Sequence, residues 1–258
     1  MEKFIVLLGT AGAGKSVLAS LLKERIESFG ASAIIVNLDP AVKKTPYEPN
    51  VDARNYVSYN EILSTGLGPN ASLIASVDSL VLHVTEIREE IYSFKADYVI
   101  IDTPGQMEVF AYRIGGPMLV KAIIEDNPAT IVFLIDALFF EDPLSIVSAL
   151  SLASSVAFRF MYPQINVVSK SDILLPEIVS EVLERLTEEG FLESLIAKNA
   201  EAPETTKYMA QGIVRVLYEA GFIGDLLPVS AYNIESIDKL YGRIQQVLSG
   251  GEDYAVYR

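Results

Sequence analysis

Cysteine and tryptophan are absent from the 258-residue chain, and histidine occurs once, at position 83. Without cysteine, the protein can form neither a disulfide bond nor a metal site built on thiolates. His83 stands in the helical pattern Val81-Leu82-His83-Val84, where a packed side chain is more common than a metal ligand. The sequence therefore gives little support to a protein that delivers metal ions through cysteine and histidine.

Basic residues are also scarce, since 20 lysines and arginines stand against 34 aspartates and glutamates, for a net charge of −14. Binding to nucleic acid requires clustered cations that neutralise phosphates, and the sequence contains no such cluster. The same acidic balance disfavours anionic membrane surfaces. We therefore expect a protein or small-molecule partner, and neither a nucleic acid nor a membrane.

Long hydrophobic runs are missing as well, although half of the residues are hydrophobic. A membrane-spanning helix needs about 18 or more consecutive apolar residues, and the apolar run at residues 4–8 is too short for a signal peptide. We expect no transmembrane helix and a cytoplasmic location. The apolar content is enough for a large core, and we expect one domain over residues 1–258.

Short apolar runs alternate with helical patterns along most of the chain. Runs of this kind, buried on both faces, are typical of parallel strands. The strands are predicted at residues 4–8, 33–38, 98–101, 130–135, 164–168 and 226–229, with a helix at residues 17–29 after the first. The alternation predicts an α/β protein with a mostly parallel central sheet and helices on both faces, in three layers.

Two insertions interrupt this alternation, at about residues 40–95 and about 176–225. In the first insertion, the pattern predicts a loop followed by one long helix from residue 71 to about 94. The second predicts helices, and we interpret the acids of its first half as a solvated face: Glu177, Glu181, Glu184, Glu188 and Glu189. The last helix has an apolar side that we expect to pack on the sheet: Ile234, Ile237, Leu240, Tyr241, Ile244, Val247 and Leu248.

A phosphate-binding motif follows the first predicted strand. The segment Gly9-Thr10-Ala11-Gly12-Ala13-Gly14-Lys15-Ser16 matches the pattern G-x-x-x-x-G-K-S and opens a helix. Backbone N–H groups of such a loop point at phosphate, Lys15 reaches the β- and γ-phosphates, and the Ser16 hydroxyl binds Mg²⁺. The motif predicts a P-loop NTPase fold with a nucleotide site formed by Gly12, Ala13, Gly14, Lys15, Ser16 and Val17.

Acidic residues follow two of the predicted strands. The carboxyl ends of parallel strands are where ligands bind in open sheets, so we expect Asp102 to hold Mg²⁺, through water, and Asp39 to complete the magnesium shell or to act on water. After Asp102, Gly105 can offer its N–H to the γ-phosphate and Gln106 can orient the attacking water. Whether Asp39, Gln106 or both orient that water stays open.

A guanine-binding loop is predicted after the fifth strand, at Ser169-Lys170-Ser171-Asp172. A carboxylate at Asp172 can accept two hydrogen bonds from the N1–H and N2–H₂ edge of guanine, which adenine cannot supply. The stem of Lys170 can lie over the purine, although this type of motif usually begins with asparagine rather than Ser169. The backbone N–H of Ala231, after the sixth strand, is placed to bind guanine O6.

Taken together, these motifs resemble the GPN-loop GTPases over nearly the full chain. The resemblance rests on the P-loop, Asn37-Leu38-Asp39-Pro40-Ala41, Gly68-Pro69-Asn70, Asp102 to Gln106, Ser169 to Asp172 and Ser230-Ala231. Without this context, Gly68-Pro69-Asn70 is a turn before a helix, with Asn70 as a candidate helix cap.

The resemblance implies a homodimer in which the Gly68-Pro69-Asn70 loop enters the partner's nucleotide site. Asn70 would then contact the γ-phosphate or the released phosphate through its amide N–H. Arg54 is a second candidate near the phosphates, with a surface salt bridge as its alternative role. The resemblance further implies hydrolysis of GTP to GDP and phosphate with Mg²⁺, as a molecular switch. Family members in nucleated cells act on RNA polymerase II assembly or import, and the client here is unknown.

Other functions remain as alternatives. A metal-delivering GTPase of related fold is disfavoured by the lack of cysteine. A partitioning ATPase would carry an extra lysine where Thr10 and Ala11 stand, and a signal-recognition GTPase would need a basic RNA-binding module. A nucleotide-gated binding module with negligible turnover is compatible with the same motifs.

Overall fold

A seven-stranded parallel β-sheet forms the centre of the computed structural model, which describes residues 1–175, 178, 182–223 and 226–249. The strands are β1 (Lys3–Gly9), β2 (Ala33–Asn37), β3 (Val51–Asp52), β4 (Tyr98–Asp102), β5 (Ala129–Asp136), β6 (Gln164–Ser169) and β7 (Leu227–Val229). Their order in the sheet is β3-β2-β4-β1-β5-β6-β7, and each neighbouring pair is parallel. The apolar run of β1 lies at the centre, which explains why its side chains are buried on both faces.

Helices cover both faces of the sheet. Those in the described residues are α1 (Lys15–Ser28), α2 (Tyr59–Ser64), α3 (Pro69–Leu82), α4 (Val84–Ser93), α5 (Met107–Ala111), α6 (Gly115–Ile124), α7 (Pro143–Phe160), α8 (Phe191–Lys198), α9 (Glu204–Glu219) and α10 (Ile234–Ser249). One core layer contains the apolar sides of α1 and α10, and the other contains those of α3 to α9. The predicted three-layer α/β P-loop fold is confirmed.

Six strands and the first helix lie close to their predicted positions, whereas β3 was not predicted. This strand has only two residues, which pair Val36 with Val51 and Asn37 with Asp52. Two residues inside a polar loop carry no detectable alternation, so the sequence pattern could not indicate them. The short strand nevertheless has a structural role, because it brings Asp52 beside the carboxyl end of β2.

The single long helix predicted at residues 71–94 is wrong, since two helices, α3 and α4, occupy this segment. The break falls at His83, whose φ of −101° and ψ of 12° are not helical and whose ring lies 6.0 Å from that of Tyr56, centroid to centroid. After the break, α4 packs against α6 and β3, whereas α3 packs against α2, α5 and α6. A one-residue break leaves the apolar spacing on each side intact, so periodicity alone did not reveal it.

In the described part of the second insertion, the predicted helices are present as α8 and α9, which pack on each other, and turns precede and separate them. The predicted exposure of the acids is confirmed at Glu184, Glu188 and Glu189, but these three stand on turns before α8 and not on a helix; Glu177 and Glu181 lie outside the described residues. The last helix, α10, packs against α1, β5 and β7 through Ile237, Leu240, Tyr241 and Ile244. The expectation for Ile234 is wrong: its side chain, at the first residue of the helix, is 68% exposed.

One described helix, α7, is long and apolar enough to cross a membrane by length and composition, with a mean hydropathy of 1.4. The sequence has no uninterrupted apolar run there, because serines and Arg159 are interspersed in the helix. Its apolar side packs against β5, α6 and α9 in the core. Core helices of soluble proteins can have the same length and composition, so these two properties are weak evidence for a membrane span.

Candidate nucleotide-binding site

The carboxyl ends of five parallel strands meet at one edge of the sheet, and the predicted site residues lie on the segments that leave it. The register places Asp102 of β4 beside Leu7 of β1 and Asn37 of β2, and places Asp136 of β5 beside Ser169 of β6. Because all the strands run in one direction, residues that end different strands become neighbours. Two cavities open along this edge.

The P-loop begins with a turn that admits only glycine at its first position. A Cβ atom on Gly9 would lie 2.5 Å from the carbonyl oxygen of Leu134, and the φ of Gly9 is +150°. Gly12 and Gly14 have φ values of +79° and +89°, in the left-handed region that glycine adopts without strain. Gly14 is also the N-cap of α1, so the helix starts at Lys15 with its N–H groups facing the loop.

Lys15 is almost completely buried under the loop. Its Nζ atom donates hydrogen bonds to the carbonyl oxygens of Gly9 and Thr10, at 2.9 and 3.1 Å. Burial lowers the pKa of Lys15, and the negative charges of Asp102 and Asp39 offset part of this effect. A buried ammonium group next to carboxylates is stabilised by further negative charge, such as that of phosphate.

A cavity of about 270 Å³ adjoins the P-loop and gathers most of the predicted phosphate and metal residues. It is lined by Gly12, Gly14, Lys15, Ser16, Val17, Asn37, Asp39, Val42, Asp102, Thr103 and Gly105. The lining combines backbone N–H groups and an ammonium with carboxylates and a hydroxyl, which are the groups that a magnesium-bound phosphate chain requires.

Asp102 is 2% exposed and has one oxygen without a partner. The Tyr47 hydroxyl donates a hydrogen bond of 2.6 Å to Oδ2, whereas Oδ1 accepts none from any described residue. Burial raises the pKa of Asp102, and the nearby Ser16 hydroxyl and the hydrogen bond from Tyr47 oppose this rise. A buried carboxylate oxygen that lacks a donor fits a site for a hydrated Mg²⁺ ion, since it needs a cation or a water to compensate its desolvation.

Asp39 is held by a network that begins at Arg54. The Arg54 guanidinium pairs with Asp52, Asp52 accepts a hydrogen bond from Asn37 Nδ2 at 3.0 Å, and Asn37 Oδ1 accepts one from the Asp39 N–H at 3.0 Å. Burial alone would raise the pKa of Asp52, but hydrogen bonds from Arg54 and Asn37 outweigh it and lower that pKa. Arg54 therefore serves as an anchor for the Asp39 segment in this structure, and its side chain does not line the phosphate cavity.

The second cavity, of about 400 Å³, gathers the predicted guanine-binding residues. Ser169, Lys170, Asp172 and Ala231 line it together with Ala13, Gly14, Val17, Leu18, Leu21, Leu134, Ile173, Val229, Tyr232 and Ile237. Gly14 and Val17 line both cavities, so the two are contiguous. The apolar walls and the single carboxylate of Asp172 at the rim suit a purine with a hydrogen-bond donor edge.

Two polar contacts in this cavity were not predicted from the sequence. Lys170 Nζ forms an ion pair with Asp136 Oδ2 at 2.6 Å, and Ser169 Oγ donates a hydrogen bond of 3.1 Å to the carbonyl oxygen of Ile135. The Ser169 hydroxyl is thus bonded to β5 at the wall of the cavity. The available signal was the end of β5, where Asp136 closes an apolar strand in the same way as Asp102.

The structure does not bring Gln106 or the Gly68-Pro69-Asn70 loop to either cavity. Gln106 is exposed at the start of α5, and Gly68, Pro69 and Asn70 are exposed at the start of α3. Gly68 is the N-cap of α3 and Pro69 its first residue, so the alternative role of Asn70 as a helix cap is wrong. No hydrogen bond joins the Asn70 side chain to another residue in the described ranges.

Replacing Asp102 with asparagine removes a charge that burial penalises. Because folding raises the pKa of Asp102 above 3.8, the carboxylate reduces the free energy of unfolding at neutral pH and not below pH 3.8, where it is protonated in both states. We expect Asp102→Asn to raise the free energy of unfolding by about 0.5–2 kcal/mol at pH 7 in EDTA. The gain should shrink as the pH falls toward 3.8.

Denaturant unfolding at several pH values measures this effect. The exposed Asp126 gives the control variant Asp126→Asn, which should change the unfolding free energy little at any pH. An Asp102→Asn protein that is less stable than the wild type at pH 7 would contradict the assignment of a destabilising buried charge.

Comparison with known proteins gives concordant results. A family model described as a conserved hypothetical ATP binding protein matches residues 7–250. GPN-loop GTPase 3 of Eremothecium gossypii is 29% identical over 251 residues, which are 96% of this chain and 92% of that protein. GPN-loop GTPase 1 of Dictyostelium discoideum is 33% identical over 172 residues, and the match spans 66% of this chain but only 43% of that protein.

A solved structure agrees with these sequence relatives. The apo form of a GTPase from Pyrococcus abyssi superposes with a TM-score of 0.84 at 28% identity, over 96% of this chain and 98% of that chain. The family model covers nearly the whole chain, and both the sequence relatives and the structural neighbour are named as GTPases. Together with the P-loop and the two contiguous cavities, these matches show that the chain belongs to the GPN-loop GTPase family and is a GTPase.

Proposed function

We propose that this GTPase binds GTP with Mg²⁺ in the two contiguous cavities and works as a homodimeric switch built from one nucleotide-binding domain per chain. The observation that carries the proposal is the partnerless Oδ1 of Asp102, buried in the same cavity as Lys15 and Ser16. Among the described residues, none donates a hydrogen bond to this oxygen, and the phosphate chain of a nucleotide would bring its magnesium to the same place.

The phosphates are held by the P-loop residues Gly12, Ala13, Gly14, Lys15 and Ser16. Lys15 provides the positive charge, and Ser16 and Asp102 hold the hydrated Mg²⁺, which neutralises charge on the β- and γ-phosphates when bound. Gly105 lines the same cavity, and its N–H can bind the γ-phosphate. This arrangement supports in-line attack of water on the γ-phosphorus, with GDP and phosphate as products.

We assign the orientation of the attacking water to Asp39 before Gln106. Asp39 lines the phosphate cavity, and one of its carboxylate oxygens, Oδ1, already accepts a hydrogen bond of 2.9 Å from the Ala41 N–H. Gln106 is exposed outside the cavity, so it would have to move with the segment that follows Asp102. That movement, triggered when Gly105 binds the γ-phosphate, is the proposed conformational switch.

Guanine is selected by Asp172 and the Ala231 N–H, with Lys170 over the ring. The Lys170–Asp136 ion pair supports this role, since it fixes the lysine stem at the cavity wall. The pocket therefore favours GTP, although the matching family model is described by ATP binding. A carboxylate that faces the amino edge of adenine would lack the second donor that guanine supplies.

The homodimer places Asn70 of one subunit at the γ-phosphate of the other. Two observations support this: Asn70 is exposed in the first turn of α3, and it does not line the nucleotide cavities of its own chain. An amide N–H donor brought in from outside can stabilise charge on the transferring phosphoryl group.

The client is a protein, in keeping with the net charge of −14, and an assembly role of the kind implied by the family would take place in the cytoplasm.

Replacing Asp172 with asparagine should exchange the base preference. The amide can donate to the carbonyl group at position 2 of xanthine but no longer accepts both guanine donors. We therefore expect GTP affinity to fall by about tenfold or more, while xanthosine triphosphate binds better than to the wild type. Calorimetric titration of both nucleotides measures this, with Asp126→Asn as the exposed control. An unchanged preference for GTP would exclude Asp172 as the base-reading residue.

Replacing Asn70 with alanine should slow GTP hydrolysis by roughly tenfold to a hundredfold, because one donor to the transition state is lost. GTP affinity and dimerisation should change little, and Asn60→Ala, at an exposed asparagine on α2, should keep the wild-type rate. Phosphate release at saturating GTP is the measurement. An unchanged hydrolysis rate in Asn70→Ala would exclude a role of Asn70 in catalysis and leave it only a structural place at the start of α3.

A mixed dimer distinguishes action across the interface from action within one chain. When Asn70→Ala subunits are combined with Lys15→Ala subunits, the first have an intact P-loop and the second an intact Asn70. Contact in trans then restores about half of the wild-type rate per mixed dimer, since one of its two sites is complete. A mixture no more active than its separate components would exclude contact in trans.

A further inference from the structure

Tyr47 reaches the magnesium side of the site from a segment with no assigned role. It lies between β2 and β3, and its hydroxyl donates the 2.6 Å hydrogen bond to Oδ2 of Asp102. The ring is half-buried against the core layer of α1 and α10. Neither the P-loop pattern nor the acidic strand ends indicate this residue, because it is separated from Asp102 by 55 positions.

The backbone that carries Tyr47 is fixed on both sides of the residue. Thr45 Oγ1 donates a hydrogen bond of 2.6 Å to the carbonyl oxygen of Tyr47. Further on, Asn50 is tied to β2 through its N–H to Ile35 oxygen at 2.8 Å, and its side-chain oxygen accepts from Ile35 N–H and from Lys23 Nζ. The phenol is therefore presented to Asp102 from a braced segment.

The hydrogen bond leaves the two carboxylate oxygens of Asp102 with different tasks. Oδ2 is occupied by Tyr47, and Oδ1, which is buried, has no donor among the described residues. A carboxylate anchored at one oxygen cannot rotate freely about its Cβ–Cγ bond, so Oδ1 keeps a fixed direction. Ser16 lines the same cavity, and its hydroxyl lies near this carboxylate.

We propose that Tyr47 is a positioning residue for the magnesium site: its hydroxyl anchors Oδ2 of Asp102 and so directs Oδ1 to the hydrated ion. The inference rests on the proposed binding of Mg²⁺ at Asp102. It also links the metal to the segment that begins at Asp39, because Tyr47 and Asp39 stand on the same connection between β2 and β3. Metal binding at Asp102 and order in the Asp39 segment then support each other.

The test is the Mg²⁺ dependence of GDP binding in Tyr47→Phe, which removes only the hydroxyl oxygen. A fluorescent GDP analogue is titrated at graded concentrations of Mg²⁺, and separately in excess EDTA. We expect the Mg²⁺ concentration for half-maximal effect to rise about tenfold, as for the loss of one hydrogen bond to a charged group. The GDP dissociation constant in EDTA should stay within about twofold of the wild-type value, and saturating Mg²⁺ should restore most of the hydrolysis rate.

A matched control is available in Tyr56, whose hydroxyl donates to the carboxylate of Glu90 outside the site. Tyr56→Phe loses the same kind of contact and should leave the Mg²⁺ dependence unchanged. Thr45→Ala serves as a second variant if Tyr47→Phe does not fold, since it loosens the backbone of Tyr47 without changing the phenol. It should raise the half-maximal Mg²⁺ concentration by a smaller factor, about threefold.

The outcomes separate this inference from the proposed function. If the wild type requires Mg²⁺ and the Tyr47→Phe and Thr45→Ala proteins respond to it as the wild type does, the positioning role is excluded and the magnesium site stands. A loss of GDP affinity in EDTA equal to that in Mg²⁺ would also exclude it, since Tyr47 would then act on the nucleotide itself. A wild type whose GDP binding ignores Mg²⁺ would refute the proposed magnesium site.

Discussion

The burial of opposite charges at the carboxyl edge of the sheet is the constraint on which the rest of this structure depends. Lys15 and Asp102 are 5% and 2% exposed, and burial disfavours the charged form of each. Two buried charged groups destabilise the folded state unless a ligand supplies the partners that they lack. The phosphates and the cation of a nucleotide reduce this unfavourable free energy of burial when they bind. The binding energy is thus gained at the place where the reaction takes place.

Several distant features keep these charges in place. The parallel register sets Asp102 between β1 and β2, and Gly9 permits the close approach of the P-loop to Leu134. From the other side, the connection between β2 and β3 brings Tyr47 to Asp102, while Asp52 and Arg54 hold Asp39. Stability and function thus oppose each other at Asp102, since the carboxylate that the site needs is the one that burial penalises.

The sequence was sufficient for those parts that local patterns encode. Buried strands appear as apolar runs, the P-loop appears as a contiguous motif, and strand-end acids such as Asp102 follow from the direction of the sheet. It was insufficient where contacts join remote segments, as for Tyr47 and the pairing of Lys170 with Asp136, because no local pattern specifies them. The break at His83 was not predicted for a different reason: one non-helical residue does not disturb the spacing of apolar positions on either side.

The most direct test of this account is the affinity of GTP for the wild-type protein and for Lys15→Ala, measured by calorimetric titration with Mg²⁺. If the phosphates pair with the buried ammonium of Lys15, the variant should remain folded and its affinity for GTP should fall at least about a hundredfold. This is the loss expected for a buried charge pair with one partner removed. A folded Lys15→Ala protein that binds GTP as tightly as the wild type would contradict the central role of this charge.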